Sequence, residues 1–342
     1  MDDRSAGGGE PLLEAVADGT ELDLLIKRHQ TELTGYCYRM LGSAFDADDA
    51  VQETMVRAWK SLDRFEGRSS LRTWLYRIAT NVCLDMLAGG RRRARPMDLS
   101  GPSSGASGPG EPWAADRLIE PVPDDRITGH GSRGTDPADV AVGRESVQLA
   151  FVAALQHLPS TQRSVLLLRE VLGLSAREIA ELQYSSVPSV NSALQRARAT
   201  LAARRGEAGP PAAPVSDDLE NALVERYVDA FERFDMEALS LILHVDATLC
   251  LPPHPVWMKG PDAIQAWLLG PGVGCRGSRL IRTVANGCPA FGQYRPSTGG
   301  DGFAPFALQV VEIVAGRVAA IHSFRDTDRL FPLFGLPPRV DA

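Results

Sequence analysis

Apolar residues recur at helical spacing through most of the first 205 positions and switch to two-residue alternation only toward the C-terminus. In GTELDLLIKRHQTELTGYCYRMLG the repeat is Leu22, Leu25, Ile26, His29 and Leu33, carried on by Tyr36, Tyr38 and Met40 to Gly42, a stop signal. His29 has no partner motif and reads as a surface or boundary histidine. DADDAVQETMVRAWKSL predicts a second helix with Val51, Met55, Trp59 and Leu62 as its apolar stripe and Asp46 as its cap. Asp48 and Asp49 stand in its first turn, where the helix dipole favours acids. SSLRTWLYRIATNVCLDML predicts a third, burying Leu71, Leu75, Ile78 and Val82 behind Ser69 or Ser70 as cap. Asp49, Gln52 and Glu53 share a polar face edged by Val56, while Trp74, Arg77 and Asn81 project from the third helix, which ends in RRRAR. An acidic face beside an aromatic and basic one implies one surface that docks a basic partner and another that handles nucleic acid.

After Arg95 the periodicity stops. Residues 97–141, dense in Gly, Pro, Ser and Asp, read as a linker whose one apolar patch is Trp113, Leu118 and Ile119. Helical spacing returns over residues 142–206 in four segments, punctuated by Pro159, Gly173 and the capping box Ser175-x-x-Glu178. The last two, with Ala180 and Val190 at packing positions and Pro188 in a first turn, form a helix-turn-helix. Its second helix exposes Ser189, Asn191, Ser192 and Gln195, side chains able to bond base edges in a major groove. Arg196, Arg198, Arg204 and Arg205 follow with no acid among them, which suits phosphate contacts.

A second, Pro- and Ala-rich linker covers residues 207–216, and the pattern over 217–336 becomes α+β. DLENALVERYVDAFERFDMEALSLIL reads as helices, followed by a strand at ATLCLPP and a helix at GPDAIQAWLL. A strand pair then turns at Asn286-Gly287 and a hairpin at Ala315-Gly316. The expectation is one curved antiparallel sheet wrapped around N-terminal helices, leaving a cone-shaped pocket. With residues 1–19 as a flexible tail and 20–96 as the first domain, the chain is multidomain: two all-α domains, then an α+β cone.

Composition narrows the function. A net charge of −7 argues against a protein that coats nucleic acid non-specifically, although Arg91, Arg92, Arg93 and Arg95 supply a local basic surface. Five cysteines, odd in number and without a C-x-x-C pair, fit reduced thiols in a cytoplasm better than disulfides or zinc. There is no secretory signal pattern, no uncharged run of membrane-spanning length, and no Gly-rich phosphate loop, nucleophile elbow or metal-spaced ligand set. The expectation is a cytoplasmic protein with no cofactor, no metal and no membrane partner.

DADDAVQETMVRAW followed by FEGRSSLRTWLYRIATNVCLDML resembles region 2 of extracytoplasmic-function (group IV) sigma factors, the sigma-70 family of bacterial RNA polymerase promoter-recognition subunits. LPSTQRSVLLLREVLGLSAREIAELQYSSVPSVNSALQRARATL resembles their region 4. The resemblance implies core RNA polymerase as partner, through its clamp coiled coil and flap, and promoter DNA. It assigns Asp49, Gln52 and Glu53 to the clamp. Phe65, Ser70, Trp74, Arg77, Asn81, Arg91, Arg92 and Arg93 would meet the −10 element, and Ser189, Asn191, Ser192, Gln195, Arg196 and Arg198 the −35 element. Three positions depart from the family: Tyr184 sits where Gly is common at the turn, and Asn191 and Ala193 where many relatives carry Arg. No familiar −35 consensus carries over.

VERYVDAFERFD, LPPHPVWMKGPDAI and LQVVEIVAGRVAAIHSF resemble the SnoaL-like (nuclear-transport-factor-like) fold, which some sigma factors carry at the C-terminus. That fold also hosts isomerases and hydrolases, so an enzyme tethered to a DNA-binding module is the alternative. A helix-turn-helix repressor with a ligand domain is a third reading, and has no use for the first domain. Tyr227, Phe231, His254, Trp257 and His322 are the candidate pocket for an unidentified small-molecule ligand, with Asp246 and Tyr294 as further polar candidates. Strand alternation leaves open whether His322 faces the cone or its outside. The combined expectation is a sigma factor whose C-terminal domain regulates it in cis and which catalyses nothing.

Overall fold

Helix α1 (Gly19–Leu41) ends where Gly42 turns to φ 75° and its N–H reaches the Tyr38 carbonyl at 2.7 Å. Ser43 then caps α2 (Ala44–Ser61), its hydroxyl accepting from the Asp46 N–H at 3.1 Å, so the helix starts before the expected Asp46 cap. The computed structural model describes residues 19–65, 67, 69–89, 92–127, 146–208, 217–297 and 302–341. The expected tail, Arg91, most of the second linker and the end of the first lie outside the described residues, as do the side chains of Leu22, Leu25, Ile26, Arg204 and Arg205.

The buried side of α2 is Ala44, Ala47, Ala50, Val51, Thr54 and Ala58, not the stripe of large residues. Small side chains let α1 pack closely, and Thr54 satisfies its buried hydroxyl on the Ala50 carbonyl at 2.7 Å. Trp59 is thereby turned outward and is 70% exposed. Ser70 caps α3 (Leu71–Leu87), which buries Leu75, Ala79, Val82 and Cys83. The Tyr36 and Thr80 hydroxyls meet at 2.8 Å inside this three-helix packing.

The described residues up to 89, with 125–127 and 155–201, form one compact unit. Helix α4 (Pro96–Leu99) is a single turn in the other unit, and α5 spans Leu149–Gln156. In the first unit α6 (Ser160–Glu170) and α7 (Ala176–Leu182) follow, with α8 (Val187–Ala208) as far as Leu201. The Ser175–Glu178 capping box opens α7, and buried Ala180 and Val190 seat α8 against it. Tyr184 takes φ 50° at the turn, the left-handed conformation that Gly adopts more cheaply. Arg163, only 3% exposed, is held by carbonyl oxygens of Met40 and Leu158 and by Gln156 Oε1. A buried cation bonded this fully ties α6 to the end of α1.

The second unit contains residues 92–124, 146–154 and 202–341. Helices α9 (Asp217–Glu232) and α10 (Met236–Ile242) lead into β1 (Leu243–Cys250), β2 (Trp257–Lys259) and α11 (Pro261–Leu269). Then come β3 (Arg279–Ala285), β4 (Cys288–Pro296), β5 (Phe303–Val314), β6 (Arg317–Phe324) and α12 (Thr327–Leu333). The sheet order is β2-β1-β6-β5-β4-β3, and β1 runs parallel to β6, so the sheet is mixed where an antiparallel one was expected. The segment β2–β5 lies between those two strands, and this long crossover is what permits the parallel pairing. Leu249, Phe291, Val311 and Ile321 fill the inner face against Tyr227 and Phe231 of α9, giving the expected α+β cone.

Residues 92–124, expected mostly as linker, pack along this domain. The Ser103 N–H reaches the Trp257 carbonyl at 2.7 Å, and the Trp113 N–H reaches that of Pro253 at 2.9 Å. Trp267 Nε1 donates to the Ser107 carbonyl at 3.2 Å. At the β3–β4 turn, buried Asn286 exchanges two bonds with Val122: its N–H donates at 3.1 Å and its Oδ1 accepts at 3.0 Å. Its Nδ2 donates to the Val147 carbonyl at 2.7 Å, and the Gly287 N–H reaches Asp124 Oδ1 at 2.8 Å. Gly- and Pro-rich chain has no repeating side-chain pattern, so backbone bonds such as these leave no trace in periodicity.

Candidate functional site

The outward side of α2 carries Asp49, Gln52 and Glu53, all exposed, and continues one turn on through Val56 and Trp59. Glu53 accepts from Arg57 at 2.7 Å, and Arg57 also donates to Asp85 of α3 at 2.9 Å. Asp48 accepts from Arg126 at 2.5 Å. The result is an acidic patch running into an exposed indole, a surface suited to a partner that offers both cations and an apolar contact. Trp59 was missed as a surface residue because it fits the large-residue stripe. It also stands seven positions after Gln52, however, and that spacing places it on the polar face.

On α3, Ser70 is spent as the cap, accepting from the Thr73 N–H at 3.1 Å. Phe65 and Trp74 are brought together with ring centroids 5.0 Å apart, and Asn81 is exposed. Arg77 donates to the Tyr184 hydroxyl at 3.1 Å and lies over that ring. Of the basic run, Arg92 is exposed, but Arg93 is not available as a surface cation. Its guanidinium donates to the carbonyls of Ala115 at 2.9 Å and Leu118 at 2.7 Å and lies 3.6 Å from Glu120. Arg95 is likewise paired with Asp98. Folding of residues 92–124 onto the second unit consumes these cations, which a linear reading of RRRAR assigns to a free surface.

On α8, Ser189, Asn191, Ser192, Gln195 and Arg196 are all exposed along one side, with Val190, Ala193, Leu194 and Ala197 buried on the other. Arg198 is exposed yet paired with Glu170 of α6, its Nε 3.2 Å from Oε1, so a phosphate would compete with a carboxylate for it.

The C-terminal pocket residues do not converge. Tyr227 and Phe231 face the cone, whose cavity is about 20 Å³, the room of a water molecule. Its polar groups bond one another in a chain: Tyr227 to Gln309 at 2.7 Å, Gln309 to Gln293 at 2.9 Å, and Gln293 to Ser278 at 2.9 Å. Burial pushes the Tyr227 hydroxyl far above its ordinary pKa. Tyr294 donates to the Pro337 carbonyl at 2.8 Å and Trp257 Nε1 to that of Ser100 at 3.0 Å. Asp246 is exposed and paired with Lys259 at 3.2 Å, so it is no buried base.

His322 belongs to the opposite face of the sheet from the cone residues Ile321 and Ser323. Paired beside Cys250 and Val310, it places Nδ1 3.2 Å from Cys250 Sγ and Nε2 3.3 Å from Glu312 Oε1. Burial lowers the imidazole pKa, but Cys250 and Glu312 outweigh it and hold His322 up to about 10. His254 also lies away from the cone, with Nδ1 2.9 Å from the Gly110 carbonyl. Among the described residues no helix is long and apolar enough to cross a membrane.

Two exposed faces on the first unit are therefore the candidate recognition surfaces, and comparison with known proteins gives their setting. Sigma-70 region 2 matches residues 25–93, and Sigma-70, region 4 matches residues 148–201. The ECF RNA polymerase sigma factor SigG of Mycobacterium tuberculosis is 44% identical over 316 residues, which are 90% of this chain and 82% of that protein. The RNA polymerase sigma-H factor of Pseudomonas aeruginosa is 29% identical over 194 residues, 56% of this chain and 91% of that one. Among solved structures, the M. tuberculosis extracytoplasmic function sigma factor SigJ shares the fold across 94% of this chain and all of its own, with a TM-score of 0.55 at 22% identity. The two family matches cover the segments that carry α2, α3 and α8, and the likeness to SigG covers 90% of the chain: the chain belongs to the ECF family of RNA polymerase sigma factors.

Proposed function

We propose that the chain binds core RNA polymerase through Asp49, Gln52 and Glu53, reads −10 and −35 promoter elements and initiates transcription in the bacterial cytoplasm. The clamp coiled coil meets the acidic side of α2, and the flap meets the region carrying α6–α8. Phe65, Trp74, Arg77 and Asn81 serve the −10 element, with Ser189, Asn191, Ser192, Gln195 and Arg196 serving the −35 element. The observation that carries this reading is the exposed face Asp49–Gln52–Glu53 on a helix whose other side is sealed by small residues. That face is dispensable to the fold and suits a basic partner.

The C-terminal domain acts in cis and without turnover. It holds residues 92–124, the chain that connects the two DNA-binding regions, by the bonds to Trp257, Pro253 and Asn286. A domain that grips the connector biases how far those regions can part, and so shifts a population instead of making a product. The water-sized cone and the outward-facing His322 support regulation over an isomerase or hydrolase. Reconstitution with core polymerase on genomic promoter fragments tests the reading. Wild type should direct initiation, Asp49→Arg with Glu53→Arg should not co-purify with core, and truncation after Arg205 should change promoter output. A double mutant that still co-purifies at wild-type yield overturns it.

A further inference from the structure

A cleft of about 430 Å³ lies in the second unit, between residues 112–120 and the domain they pack on. That volume is within the range of roughly 300–1,000 Å³ usual for small-molecule sites, and the cone is far below it. One wall is Trp113 and Leu118, and the other is Pro253, Phe324 and Leu330. Arg117 covers one side of the Trp113 ring at 5.7 Å from its centroid. The charges lining the cleft are already engaged: Glu120 accepts from Arg329 at 3.0 Å, Asp326 pairs with Arg329 at 3.3 Å, and Arg325 gives its Nε to the Phe306 carbonyl at 3.1 Å and lies over that ring. His254 adds one polar position. Its Nδ1 must donate to the Gly110 carbonyl, so in the neutral imidazole Nε2 is left as an acceptor.

We propose that this cleft binds a neutral, flat, multi-ring aromatic molecule bearing one N–H or O–H donor, and that the bound molecule pins residues 112–120 to the C-terminal domain. The rings fill the space between Trp113 and Phe324, and the donor meets His254. Because the two walls come from separate stretches of chain, the site is complete only while they are docked. The ligand thus binds the docked state alone. At 100 times its Kd it shifts the docking equilibrium roughly 100-fold. That this restrains promoter engagement rests on the function proposed above, whereas the site itself does not.

N-phenyl-1-naphthylamine is a suitable probe: neutral, aromatic, carrying one N–H, and fluorescent in apolar surroundings. Titrated into the full chain without polymerase or DNA, it should give a saturable one-site signal with energy transfer from tryptophan. Ala115→Trp, which fills the cleft from an exposed position, should weaken binding at least tenfold with an unchanged thermal melt. Trp113→Phe should keep binding within a few-fold but reduce the energy transfer. At saturation, amide hydrogen exchange across residues 100–121 should slow. A non-saturable signal, equal affinity in Ala115→Trp, or unchanged exchange at saturation overturns the proposal. With no polymerase or DNA present, none of these outcomes depends on the transcription reading.

Discussion

Arg77 and Tyr184, 107 residues apart in sequence, are joined by a 3.1 Å hydrogen bond and by a guanidinium lying 5.5 Å from the ring centroid. One stands on α3 and the other at the strained turn between α7 and α8. Among the described residues the buried Arg77 Nε has no partner, so the contact uses only part of the side chain's bonding capacity. A base or phosphate that met Arg77 would have to displace Tyr184.

Tyr184→Ala should therefore increase the affinity of the chain for a single-stranded −10 oligonucleotide. An exposed cation–π contact is worth about 0.5–1 kcal/mol, which corresponds to roughly a two- to fivefold gain. Arg77→Ala should lower the same affinity. Fluorescence anisotropy on labelled oligonucleotides reads both, and a loss in Tyr184→Ala would mean that the tyrosine is itself a DNA contact.

Trp59 should be an anchor for core polymerase. Exposed aromatic residues at the centre of a docking face typically cost about 2 kcal/mol or more on truncation, near thirtyfold in Kd. Trp59→Ala should show such a loss in surface plasmon resonance against core enzyme. Because 70% of the residue is solvent-exposed, its melting temperature should be unchanged. A variant that melts early would place Trp59 in the fold and not in the interface.

On α8 two classes of contact should separate. Asn191→Ala or Gln195→Ala should cost about 1–3 kcal/mol on the cognate −35 site and less on others. Arg196→Ala should weaken every sequence alike and reduce the salt slope by about one. Arg198→Ala should do less, since Glu170 already holds that guanidinium. Equal shifts in specificity from both classes would reverse the orientation assigned to the helix.

The second unit should lose stability in alkali. His322 has its folded pKa held up near 10, above the ordinary histidine value of about 6.5, so the stabilisation is complete below about 6.5. It drains away as the pH rises toward 10. Calorimetry between pH 6.5 and 10 should show a falling transition temperature that flattens in His322→Gln. An equally steep fall in that variant would assign the effect to other groups.

Much of the fold was legible because helical periodicity and caps are local signals. Ser70, Gly42, the Ser175–Glu178 box and the Asn286-Gly287 turn each stand where the sequence alone suggests. What escaped depends on partners distant in sequence. The large-residue stripe points Trp59 inward because the buried side of α2 is made mostly of alanines, which carry little weight in a hydrophobic pattern. The RRRAR run suggests a surface cation at Arg93 because nothing local announces the carbonyls of Ala115 and Leu118. The side on which His322 lies turns on the pairing of β1 with β6, and that parallel register has no signature within either strand.

Asn286 and Gly287 hold Val122, Asp124 and Val147 at one turn. The stretch of chain between Asp124 and Val147 thus leaves and returns to a single dipeptide, like a purse string closed by one clasp. A protease that severs this stretch does not divide the molecule. The two fragments should separate on a denaturing gel yet elute together under native conditions, held by this turn and by bonds such as those of Arg163 to Met40 and Ser103 to Trp257. Asn286→Ala opens the clasp and should lower the melting temperature of the nicked protein more than that of the intact chain.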